Sequence, residues 1–174
     1  MSTIIGGSSP SVTFPDSTVQ DTSAIVGGKV PYANLPSGSV LQVVNSTYGT
    51  GVSSSSTTYI DTGLTATITP KFSTSKILII AVINDIEKGT NNTYGSFKVL
   101  CNGNQVITFA GEASYTANSA SNATSASCTY LDSQGTTSAL TYKVQFMSQA
   151  NVAYVKVQAN NNNSSLITLM EIAG

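Results

Sequence analysis

The chain has no arginine, no histidine and no tryptophan among its 174 residues, and only 9% of them carry a charge. Typical soluble domains carry about 25%. Each absence excludes something. Without histidine, the commonest general acid–base group at neutral pH is gone. Seven scattered lysines and a net charge of −1 give no clustered positive patch for phosphates, so nucleic acid is not an expected partner. No apolar run approaches the ~20 residues that cross a bilayer as a helix, so no membrane insertion is expected. The opening MSTIIGGSSPS lacks a basic region followed by a long apolar one, so no secretory signal is read. Cys101 and Cys128 therefore read as reduced thiols buried in strands rather than as a disulfide.

What remains is an apolar content of 40% set in serine, threonine, asparagine and glutamine. That excludes disorder of the charged kind. A surface so neutral has little colloidal repulsion, so part of it is expected to be covered by copies of the chain or by neighbours.

Residues 1–36 hold four of the five prolines and two Gly-Gly pairs, and sustain no helical or strand period. They read as an extended N-terminal arm. Its apolar residues Ile4, Ile5, Val12, Phe14, Ile25 and Val26 are the candidate anchors for a partner. Residues 37–174 read as one domain.

That domain centres on Thr57 to Asp85. Leu64 to Ile68 alternates apolar and threonine, as a strand with one wet face does; Ile77 to Ile83 is apolar throughout, as a strand with two dry faces is. With Pro70 and the polar Lys71 to Ser75 between them, the two read as a hairpin. Further strands are expected at Val40–Val44, Tyr94–Cys101, Gln105–Phe109, Cys128–Leu131, Leu140–Met147, Val152–Ala159 and Leu166–Ile172. Asn102-Gly103 is a type I′ hairpin signal, because both positions tolerate positive φ. It pairs Phe97, Val99 and Cys101 with Val106, Ile107 and Phe109, and Val152–Ala159 is expected to pair back on the preceding strand. Long loops are expected at 47–58, 86–93 and 111–126. About nine strands and no helix predict an all-β, antiparallel β-sandwich or jelly-roll-like domain. Lys71, Lys76 and Lys88 flank the central strands, but few charges guard the sheet edges.

Catalysis is not expected. No G-x-S-x-G elbow occurs. The eight carboxylates are dispersed, and the nearest pair, Asp85 and Glu87, would share a strand face but reads as a strand end entering solvent. Asp61 in Asp-Thr-Gly reads as a turn. Calcium loops and zinc-ligand clusters are missing. The expected catalytic, metal and cofactor residues are therefore none. Tyr48, Tyr94 and Tyr115 lie in or near the loops and are candidate contacts, among them to a surface glycan; packing is the alternative reading of each.

The segments GSVLQVV, STTYIDTGLTATITPKFSTSKILIIAVIND, YLDSQGTTSALTYKVQF and SLITLMEIAG, in that order over residues 38–174, resemble small virion proteins of marine and cyanobacterial tailed phages. The stretch SPSVTFPDSTVQDTSA resembles an S-P-S-I-T-F-x-D-G-T-x-Q-x-T-A element found before phage fibre and decoration domains, with Ser17 where glycine is usual. The resemblance implies a homotrimeric bacteriophage virion structural protein, without a cofactor, assembled in the host cytoplasm and exposed on the particle. Its role would be a tail-fibre or receptor-binding head for host attachment, held by the arm to tail or major capsid protein. The alternative is a capsid decoration (cement) protein. In an oligomer, Ile77, Ile79 and Ile80 become candidate interface residues.

Overall fold

A computed structural model of the chain describes residues 11–13, 19–21, 30–117, 124–149, 153–160 and 163–174. It divides into two compact units, 1–39 and 40–174. In the first, β1 (Ser11–Thr13) pairs antiparallel with β2 (Val19–Asp21), Val12 opposite Gln20. A 3-10 turn, Tyr32–Asn34, follows Pro31, whose fixed φ suits the start of a turn.

The second unit is an antiparallel β-sandwich of ten strands with no α-helix among the described residues. The strands are β3 (Val40–Tyr48), β4 (Val52–Ser54), β5 (Ile60–Ile68), β6 (Lys76–Lys88), β7 (Gly95–Cys101), β8 (Asn104–Ala113), β9 (Thr124–Asp132), β10 (Leu140–Ser148), β11 (Val155–Val157) and β12 (Ser165–Ile172). One sheet runs β5-β10-β7-β8. The other runs β3-β12-β6-β11-β4, with β9 on the far side of β6.

The expected central hairpin does not form. β5 and β6 stand in different sheets, and residues 69–75 carry the chain across one end of the sandwich. Both strands turn their apolar faces into the core, where β5 packs against β3 and β12. Nor does β6 have two dry faces. Ile77, Ile79, Ala81 and Ile83 are at most 1% exposed, whereas Leu78, Ile80 and Val82 between them are only half-buried. At Asn84 and Asp85 the register against β9 slips, with Asp85 at φ 48°. This bulge puts an extra residue into β6 and reverses its parity, so that Ile86 and Lys88 turn inward.

The four-stranded sheet follows its pattern more simply. Leu140, Tyr142, Val144 and Phe146 are buried and alternate with polar neighbours. Phe97 stacks on Phe146 at 6.1 Å and tilts against Phe109 at 5.8 Å. Each such side chain contributes about 1.5–3 kcal/mol of burial. Asn102 and Gly103, at φ 47° and 88°, make the expected tight turn, which sets Phe97 opposite Phe109 and Val99 opposite Ile107 but Cys101 opposite Asn104. The segment expected at Val152–Ala159 is ordered as the shorter β11. It pairs with β4 and β6 rather than with β10. Asp61, expected in a turn, lies within β5.

A bulge also bends β5. Its register against β10 slips between Asp61 and Thr65. The Thr62 hydroxyl donates to the Val144 carbonyl (2.9 Å) and accepts from the Leu64 amide (3.2 Å). Gly63 between them sits at φ 88°, and the Tyr48 ring fills the space a Cβ would need. Only glycine meets both conditions without strain.

The two outer faces of the sandwich differ in chemistry. On the four-stranded sheet, Lys143 pairs with Asp61 at 2.9 Å, Gln145 donates to the same carboxylate, Thr67 meets Thr141, and Lys98 covers the Tyr59 ring at 4.2 Å. On the six-stranded sheet, Val43 stands opposite Met170, Met170 opposite Leu78, and Leu78 opposite Leu131. Directly opposed residues share a face, so these four make one apolar row across four strands.

Candidate functional site

Where β6 ends at Lys88, four connections leave the sandwich: 55–59, 89–94, 114–123 and 149–154. Of the three long loops expected from the sequence, 47–58 is divided by β4 into 49–51 and 55–59, and longer strands shorten the other two. β3 runs on to Tyr48, β8 to Ala113, and β9 begins at Thr124.

The positions at this end are fixed from the strands upward. The inward turn after the bulge buries Lys88, which is 1% exposed and so is no edge guard. Its ammonium donates to the Thr116 carbonyl at 2.7 Å and lies 5.9 Å from the centre of the Tyr115 ring. No carboxylate forms an ion pair with it among the described residues. A carbonyl dipole and a π-face thus receive the charge. The same Thr116 carbonyl accepts from the Asn92 amide at 3.1 Å. Asn92 adopts φ 55°, and its side-chain oxygen accepts from the Tyr115 hydroxyl at 3.2 Å. Tyr94 meets Tyr115 edge to face, centroids 5.7 Å apart, in the arrangement that the ring quadrupoles favour. On the neighbouring connection, the Gly89 amide donates to the Tyr154 carbonyl at 2.9 Å. The Tyr154 ring lies over Gly89, where a Cβ would stand 2.8 Å from it.

Tyr115 is 48% exposed and Tyr154 44%. Both are held by their neighbours and remain about half exposed, so each can meet a ligand at little further cost in side-chain entropy. With the Asn92 side chain bonded to Tyr115, that position can stack a flat apolar surface and hydrogen-bond a hydroxyl-rich one.

Of the loop tyrosines expected from the sequence, the structure brings Tyr94 and Tyr115 together. Tyr48 is elsewhere: it is half-buried against the core, over Gly63. Sequence reasoning missed Lys88, Asn92, Thr116 and Tyr154. Tyr154 sits in a segment expected to be strand, and Lys88 reads as exposed until the bulge is known. Of the interface candidates, Ile77 and Ile79 are enclosed inside the domain, at 1% and 0% exposure; a partner cannot reach them on the folded subunit. Ile80 lies on the outer face. Among the arm anchors, Val12 pairs through its backbone in β1; Ile4, Ile5, Phe14, Ile25 and Val26 lie outside the described residues.

The groups weighed for catalysis are apart. The bulge takes Asp85 out of alternation with Glu87, and Asp85 instead accepts from the Asn163 amide at 3.3 Å. Among the described residues no three His, Cys, Asp or Glu side chains gather as metal ligands. Ser73 and Lys76 spell S-x-x-K, but both are exposed, in the turn leading to β6. Cys101 and Cys128 are both free and buried. Burial raises the pKa of each thiol, against smaller lowering effects of the Tyr142 hydroxyl on Cys101 and the Ala81 backbone on Cys128.

The chain matches no protein-family model, and no curated protein is significantly similar to it.

Proposed function

We propose that this chain is a structural protein of a tailed-phage virion: a trimeric, receptor-binding-type head of a tail fibre, attached by its N-terminal arm. The supporting observation is the gathering of four connections at one end of the sandwich, with the Tyr115 and Tyr154 rings held open there. The low charge and the resemblance to small virion proteins agree with this reading. The loop end faces the host and takes a surface glycan. Tyr115 and Tyr154 stack on sugar rings, Asn92 hydrogen-bonds hydroxyls, and Lys88 and Tyr94 hold Tyr115 in place. No covalent step is involved.

The test is binding of the purified full chain to host cells, with its ability to block infection. Saturable binding is expected. Tyr115→Ala with Tyr154→Ala should weaken it by at least about 10-fold, since stacking on one aromatic ring is worth roughly 1–3 kcal/mol in comparable base-stacking sites. No binding and no block at saturating protein overturns the proposal. Hundreds of copies on the head would point to capsid decoration instead.

A further inference from the structure

We infer that the outer face of the six-stranded sheet is the surface through which copies of this chain associate. The inference deepens the proposed trimer by naming its interface, and to that extent rests on that reading.

The argument begins with register. Val43, Met170, Leu78 and Leu131 form one row across β3, β12, β6 and β9. Val40 and Ile172 extend it on one side, and Ile80, Leu166 and Val82 on the other. Val40 is 52% exposed, Val43 54% and Leu131 47%. The flanking positions on the same face are Asn45, Thr47, Ser127, Thr129 and Thr168, all uncharged. Lys76, at one end, is the one charged residue in these rows. An apolar centre with an uncharged polar rim, depleted of charge, is the make-up of a protein–protein interface.

The occupant follows from charge and area. A face that meets its own copy must not repel itself. Like charges brought together across a contact cost several kcal/mol, and these rows bring only Lys76; the other charges on this face, Glu87 and Lys156, stand opposite each other on β6 and β11 beyond the rows. It is self-complementary in a way that the opposite face, with Asp61, Lys98 and Lys143, is not. A foreign partner would need some charge on this face to be selected by, and the rows offer only Lys76. Four strands at ~4.8 Å spacing and some seven residues at ~3.3 Å make a plan area of roughly 400 Å². That is about half of the ~800 Å² each partner gives a standard interface, so the contact also takes in surface beyond these rows.

The experiment is light scattering on the full chain eluting from a sizing column. Wild type is expected at a multiple of 17.9 kDa. Val43→Asp and Leu131→Asp replace half-exposed side chains, so a folded monomer tolerates both. Each is expected to raise the dissociation constant by about 100-fold or more, since each places an unpaired charge inside the contact, while the circular dichroism of a β-sandwich is kept. Thr108→Asp, on the outer face of the other sheet, is expected to leave the mass unchanged. A monomeric wild type, or folded Val43→Asp and Leu131→Asp proteins of wild-type mass, overturns the inference. Host-cell binding without association defeats this inference and the trimer but leaves the attachment role standing; association without host-cell binding defeats the attachment role alone.

Discussion

The Glu171 carboxylate accepts the Lys71 amide at 2.6 Å, and so ties the last strand of the chain to the crossover between the two sheets. Its second oxygen accepts from Gln42 at 2.6 Å, and Gln42 also donates to the Thr69 carbonyl. Glu171 is fully buried. Burial raises its pKa, but the nearby Ser75 hydroxyl, the Gln42 amide and the Lys71 and Phe72 backbone amides outweigh it, and the net direction is downward from 4.5. Ser75 acts by proximity, since its hydroxyl makes no hydrogen bond of good geometry. A carboxylate with a lowered folded pKa binds fewer protons folded than unfolded. Its contribution is therefore complete above about pH 4.5 and is lost as pH falls through the folded value. Glu171→Ala should cost about 2–4 kcal/mol at pH 7, because charge-assisted hydrogen bonds are lost and buried donors stranded. In urea titrations the difference between variant and wild type should shrink on acidification.

Gly63 carries the β5 bend, and Tyr48 fills the space beside it. Gly63→Ala should destabilise the fold by about 2 kcal/mol or more, from strain at positive φ and displacement of the ring. Tyr48→Ala combined with Gly63→Ala relieves the displacement but not the strain. The double variant should therefore be more stable than the sum of the single losses implies, which a double-mutant cycle in urea measures.

Tyr142, wholly buried, donates its hydroxyl to Asp132 at 2.8 Å and so joins the two sheets through the core. Burial, then the hydrogen bond and charge of Asp132, push its pKa far above the ordinary tyrosine range. Tyr142→Phe should cost about 1–3 kcal/mol by removing a donor to a buried carboxylate. Ultraviolet titration should show one tyrosine that ionises only on alkaline unfolding, and Tyr142→Phe should abolish that step.

Cys101 and Cys128 should both resist a thiol reagent at pH 8 while the protein is folded, and both react in denaturant. Raised pKa and burial each lower the thiolate at the surface. Rapid labelling of either thiol in the native state would contradict their placement.

Lone strands were legible from the sequence and their partners were not. The alternation of Leu140 to Phe146 and of Leu64 to Ile68 gave the buried faces correctly, because a period of two depends only on neighbours along the chain. The β5–β6 hairpin failed because seven residues between apolar strands serve equally to turn within a sheet or to cross between sheets. The dry-on-both-sides reading of β6 failed for a different reason. Its outer residues are as apolar as its inner ones, and sequence cannot tell a face closed by its own domain from one left for a partner. At the loop end, the tyrosines were visible as residues but Lys88 was not, since its burial follows from a bulge at Asn84 and Asp85 that shifts parity by one.

The most direct test of the proposed attachment role is an image of the intact virion in which the density of this chain is located and its copies counted. The account expects trimers on the tail, a few tens of copies or fewer, with the end bearing Tyr115 and Tyr154 pointing away from the particle. Hundreds of copies on the head, loop end inward, or no density on the particle at all, would contradict it.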